Sequence, residues 1–112
     1  MVDPVLAALE DLTEALRRNV EVGTQVLARI ERLAAARAEG RSWTELVEHE
    51  ERPLIVEQLS ANLERLSSSG SRLRRAHAKA LHDEGMTMEQ VASFFGVTRQ
   101  RVSALLRPRP GV

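Results

Sequence analysis

Apolar residues recur at spacings of three and four from the start of the chain, at Leu9, Leu12, Leu16, Val26, Ile30 and Leu33, and Asn19 and Gly23 continue the same alternation. That period belongs to an amphipathic helix. Asp3 is placed to cap it and Pro4 to open it, and no further proline occurs before Glu39. A helix of that length spans about 50 Å, more than the rest of so short a chain covers. The seam therefore predicts a second copy of the chain as its partner, with Asn19 fixing register and Gly23 allowing close approach or a kink. An intramolecular hairpin broken near Gly23 is the other arrangement the pattern allows.

Gly40 ends this helix, and the capping-box sequence "SWTE", Ser42 to Glu45, opens a short second one through about His49. Trp43 is expected to anchor that helix in the core. Pro53 marks a third start, after which Leu54, Ile55, Leu59, Leu63 and Leu66 share a helical face. The cluster "SSSGS", Ser67 to Ser71, reads as a turn or brief linker. Three more helical segments follow: from about Ser71 to Glu84, from Thr87 to Phe95 and from Thr98 to Arg107. No strand-like alternation and no internal repeat occurs. The predicted class is all-α, with a long N-terminal helix and short helices ahead of a C-terminal three-helix unit.

Composition fits this reading and narrows it. The chain has 112 residues, 43% of them apolar but only 3% aromatic, so its core must be built from Leu, Val, Ala and Ile. There is no cysteine, which excludes disulfides, thiolate metal sites and cysteine nucleophiles. The N-terminus has neither the basic flank nor the apolar run of a signal peptide or membrane span, so a cytoplasmic location without membrane contact is expected. The formal charge is zero, yet residues 1–70 carry eight Arg/Lys against thirteen Asp/Glu, a net of −5, and residues 71–112 carry eight against three, a net of +5. Such a division suits a basic part that meets a polyanion and an acidic part with another task, or two halves that dock on each other. It places the organisation at 1–70, an acidic helical dimerisation region containing the seam above; 71–107, a basic unit; and 108–112, a flexible tail.

The basic unit holds the most specific pattern. Thr87 and Gln90 form a T-x-x-Q capping box, Gly96 follows Phe95 where a helix must stop, and Thr98 caps the next helix two residues later. So short a turn makes the two helices cross steeply. Ala92 supplies a small side chain at the contact, and Val91, Phe95, Val97, Val102 and Leu105 supply apolar faces. The series Ala92, Gly96, Val102, Leu105 resembles the helix-turn-helix of bacterial DNA-binding regulators, and the ending "GVTRQRVSALL" is also similar to the DNA-reading portions of sigma factors and site-specific resolvases.

The resemblance implies that the helix from Thr98 to Arg107 enters the major groove of double-stranded DNA. Arg99 and Gln100 at its leading end are the candidates for base contact, by paired hydrogen bonds to guanine and to adenine, with Ser103 and Ala104 behind them. Thr87, Thr98, Arg101 and Arg107 are placed for phosphates, and Arg72, Arg74, Arg75 and Lys79 on the preceding helix form a phosphate-facing patch or a solvated face. The expected function is a dimeric, sequence-specific transcriptional regulator. Two other classes fit: a helical protein-interaction adaptor without DNA binding, and a nucleoid-associated or phage-type factor of low specificity. Nothing points to an enzyme or a cofactor: His77 and His82 are five apart, on different helical faces, no HExxH or glycine-rich phosphate loop occurs, and no carboxylates pair as acid and base. The sequence names no small-molecule effector.

Overall fold

A computed structural model describes residues 2–107; the tail assigned to 108–112 lies outside the described residues. The described residues form five helices and no strand: α1 (Pro4–Ala38), α2 (Trp43–Glu48), α3 (Ile55–Asp83), α4 (Met88–Phe95) and α5 (Arg99–Leu106). The chain is all-α, as its periodicity predicts. It divides into two compact units, one of Thr13–Ser67 and one of Met1–Leu12 with Ser68–Val112, and α1 and α3 run through both.

In the unit Thr13–Ser67, α1 and α3 lie antiparallel. Asn19 and the buried Asn62 are joined side chain to side chain, and ten residues on in α1 the Arg29 guanidinium donates to Gln58 Oε1 at 2.8 Å, four residues back in α3. Arg29 also donates to the carbonyls of Pro53 and Glu51, both at 2.8 Å, and lies 3.5 Å from the Glu50 carboxylate. One half-buried arginine thus ties α1 to the segment that leads into α3. Hydrogen bonds to a charged donor are the stronger kind, and the donors of this planar fork are spread over three partners. Leu46 is the buried residue of α2, whereas Trp43, expected in the core, is 53% exposed with Arg37 stacked over its ring at 5.1 Å. The Ser42 hydroxyl accepts from Glu45 N, but the Glu45 carboxylate takes the Arg41 guanidinium instead of closing the box.

The seam predicted on α1 splits between two faces. Val26 is buried and Leu12 and Leu33 are half-buried, whereas Leu9, Leu16 and Ile30 are 42%, 47% and 44% exposed. The inward positions are instead Ala8, Leu12, Ala15, Asn19, Val22, Val26 and Arg29, a regular three-four alternation. Packing within the chain therefore covers half of the seam. α1 does not break at Gly23, where an added Cβ would meet nothing within 4 Å.

In the other unit, Asp3 Oδ1 accepts from the amides of Val5 and Leu6 at the start of α1. The linker expected at Ser67–Ser71 is absent: α3 is one helix through the whole cluster. Ser69 is buried and donates to Asp11 Oδ2 at 2.8 Å, and Arg72 lies 3.6 Å from the same carboxylate. Leu66, Ser69, Leu73, Ala76 and Ala80 all lie on the less exposed side of α3 and keep the three-four spacing across the serines. Propensity for a turn is overridden by a face of small side chains against α1. The last part of α3 then joins α4 and α5 around a core of Ala78, Val91, Ala92, Val102 and Leu105, with Leu81, Met86, Met88, Phe95, Val97 and Leu106 packed on it.

Candidate nucleic-acid interface

The turn between α4 and α5 is determined by its own residues. Thr87 Oγ1 accepts from Gln90 N at 3.1 Å while Gln90 Oε1 accepts from Thr87 N at 2.8 Å, a complete capping box. At the far end Gly96 sits at φ 65°, ψ 36°, with Val97 N bonded to Ala92 O and Gly96 N to Ser93 O. This is a Schellman ending, which uses up carbonyls that the helix would otherwise leave free. Thr98 Oγ1 accepts from Arg101 N at 3.1 Å and starts α5 at once. Ala92, Val91, Val102 and Leu105 are all buried, so the contact between α4 and α5 is filled as its spacing predicts.

Burying Val102 and Leu105 turns the opposite face of α5 outward. Arg99, Gln100, Arg101, Ser103 and Arg107 are exposed, and Ala104 is half-buried at the edge of the core. The leading end of α5 presents a guanidinium and an amide side by side, with a hydroxyl one turn behind them. These are the donor and acceptor types that base edges in a major groove distinguish. The cap oxygens of Thr87 and Thr98 accept from backbone amides, which leaves each hydroxyl proton free to donate to a phosphate.

The cations are less uniform than their spacing suggests. Arg99 lies 3.2 Å from Glu89 of α4, Lys79 2.8 Å from Asp83, and Arg72 is engaged by Asp11. Arg75 is half-buried and donates to the Ala104 carbonyl at 3.5 Å, near the C-terminus of α5, where the exposed ends of the peptide dipoles favour a cation. Arg74 has no such partner among the described residues and is exposed. The Arg72–Arg75–Lys79 series is thus spread over three local partners and is not one free patch.

Sequence reasoning passed over Glu89 and Asp11. Glu89 reads as an ordinary acid in the first turn of a helix, and only the packing of α4 against α5 brings it to Arg99. It also passed over an aromatic cluster in which His77, Phe94 and Phe95 meet edge to face, with ring centroids 5.0 to 5.8 Å apart. The His82 ring nitrogen lies 3.1 Å from the Met86 carbonyl. Among the described residues no group of three or more His, Asp or Glu is placed to hold a metal, and no helix is long and apolar enough to cross a membrane.

Comparison with known proteins agrees with this geometry. No curated protein matches the chain, and no solved structure does. Residues 69–107, about a third of the chain, match the family model of the homeodomain-like domain, which is a DNA-binding family and not an enzymatic one. The match begins inside α3 and ends just past α5, so it takes in the three helices packed on the Val91–Val102 core. The match supports a helix-turn-helix DNA-binding fold for residues 69–107 and extends to no other part of the chain.

Proposed function

We propose that this chain is a sequence-specific transcriptional regulator of the bacterial helix-turn-helix kind, acting in the cytoplasm as a homodimer that reads two half-sites. Each copy lays α5 in a major groove. The observation that carries the reading is the outward face of α5: a helix capped by Thr98 and anchored by two buried aliphatics holds Arg99, Gln100 and Ser103 clear of the core.

Arg99 donates to guanine O6 and N7, Gln100 pairs with adenine N6 and N7, Ser103 adds a hydrogen bond and Ala104 meets a thymine methyl. The ion pair of Arg99 with Glu89 is exposed on both sides, and such a pair contributes little, so a guanine edge displaces the carboxylate at small cost. Thr87, Thr98, Arg101, Arg107 and Arg74 contact phosphates. Arg72 and Lys79 join them by exchanging exposed carboxylates for phosphates, while Arg75 acts from behind by holding the end of α5.

Selection of binding sites from random duplex DNA, followed by binding measurements over a range of salt, tests the reading. A preferred site with two related halves is expected, with log affinity falling linearly in log salt. Arg99→Ala is expected to weaken the selected site by about 1–3 kcal/mol and to relax preference at one base pair. Absence of DNA binding, or binding that does not change with salt, overturns the reading in favour of an interaction protein.

A further inference from the structure

The face of unit Thr13–Ser67 that no described residue covers has the pattern of half a four-helix bundle. On α1 the exposed apolar residues are Leu16, Val20, Leu27 and Ile30, and on α3 they include Val56 and Leu63. Each directly follows an inward position: Ala15, Asn19, Val26 and Arg29 on α1, Ile55 and Asn62 on α3. One residue on is a rotation of about 100° in a right-handed helix. Seen from one end, antiparallel helices turn in opposite senses, so both stripes come round to the same side of the pair.

We infer that this face is the docking surface of a second copy of the chain, giving a two-fold antiparallel four-helix bundle. The inference rests on the dimeric reading above and assigns it a surface. No charged residue interrupts the two stripes, and their members are 44% to 67% exposed. That leaves on the order of 600 Å² of apolar side chain per copy, approaching the ~800 Å² that each partner contributes to a stable interface and at the top of the range a single chain leaves open. The part of the apolar seam of α1 that falls in this unit, Leu16, Val26, Ile30 and Leu33, is divided between the inward face and the open face. A helix in the corner of a four-helix bundle needs its apolar stripe so divided, because it contacts two neighbours at once.

The rim carries matching charge. Arg17 follows Leu16 and Glu64 follows Leu63, each exposed and each without an ion-pair partner among the described residues. Asn19 and Asn62 lie level within the chain, so Arg17 and Glu64, two residues away in opposite directions, are level as well. A two-fold axis along the helices sets α1 of one copy against α3 of the other at this same level. Arg17 then meets Glu64 of the partner subunit, twice in each dimer.

The mass of the full chain in solution, measured from about 1 to 100 μM, tests the assignment. Twice the chain mass is expected for the wild type. Leu27→Glu with Leu63→Glu, both at positions exposed in the single chain, is expected to raise the dimer dissociation constant at least about a hundredfold while helicity persists. Arg17→Glu is expected to raise it on the order of threefold to tenfold, and Arg17→Glu with Glu64→Arg to restore it. Gln25→Glu, which precedes the inward Val26 and so lies on the other side of the pair, is expected to leave it unchanged. A wild type of single-chain mass at 100 μM overturns the inference, as does dimerisation that both the Leu27→Glu/Leu63→Glu variant and the Arg17 charge reversal leave intact. A monomer that still binds DNA sinks this surface alone, and a dimer without affinity for DNA sinks only the reading of α5.

Discussion

Replacing Gly96 isolates the backbone requirement of the turn that aims α5. Its φ of 65° lies in the left-handed region, and an added Cβ would meet no atom within 4 Å. Steric crowding by neighbours therefore contributes nothing, and the whole cost is conformational. For an L-residue in this region that is about 1–2 kcal/mol. Asparagine tolerates the conformation better than alanine, and a β-branched residue tolerates it worse. Unfolding in urea, followed by far-UV circular dichroism, should therefore rank the chains Gly, Asn, Ala, Val. Gly96→Ala is expected to lose about 1–2 kcal/mol, and Gly96→Asn less than half of that. In a thermal experiment the alanine loss corresponds to a fall of roughly 5–15 °C in a unit of this size. The Schellman bonds from Val97 and Gly96 persist in each variant, so the loss measures strain and not broken hydrogen bonds. Equal stability of the Gly, Asn and Ala chains would show instead that the turn does not demand a left-handed residue.

Three further outcomes follow from other parts of the fold. Val102→Ala empties part of a wholly buried site in the core beneath α5 and is expected to cost about 2–3 kcal/mol in urea unfolding. Arg29→Ala leaves the Pro53 and Glu51 carbonyls and Gln58 without their donor and is expected to cost about 2–4 kcal/mol; Arg29→Lys recovers less than half, since one ammonium cannot reach all three. Arg74→Ala is expected to lower the slope of log affinity against log salt by about one, with sequence preference unchanged, in a DNA-binding titration.

What the sequence alone makes legible is local. Thr87, Gln90, Gly96 and Thr98 act on amides and carbonyls within five residues of themselves, so their spacing alone specifies the turn, and the burial of Val91, Ala92, Val102 and Leu105 follows from it. The glycine-and-serine cluster at Ser67–Ser71 misleads for the complementary reason. Its turn propensity is local, but Ser69 reaches Asp11, 58 residues away, and a face of α1 decides the conformation. Trp43 looks like a core anchor by residue type, yet Leu46 takes that place because a helix of six residues has one inward position to fill.

The α1 seam is a subtler case. Leu9, Leu12, Leu16, Val26, Ile30 and Leu33 do form an apolar stripe, but a period cannot say how many neighbours share it. Leu12, Val26 and Leu33 turn inward, and Leu9, Leu16 and Ile30 stay outside. Arg29 and Glu89 could not be found by pattern at all, since each matters through a contact that only the packed helices create.

Whether the outward face of α5 reads base edges is decided by comparing two proteins on one set of DNA sites. Wild type and Gln100→Ala are measured against every single base-pair substitution of a selected site at one salt concentration. Wild-type penalties of about 1–3 kcal/mol are expected at each contacted position, with loss of that penalty at a single adenine when Gln100 is removed and the other positions unchanged. Identical penalty profiles for the two proteins would contradict base reading by this face.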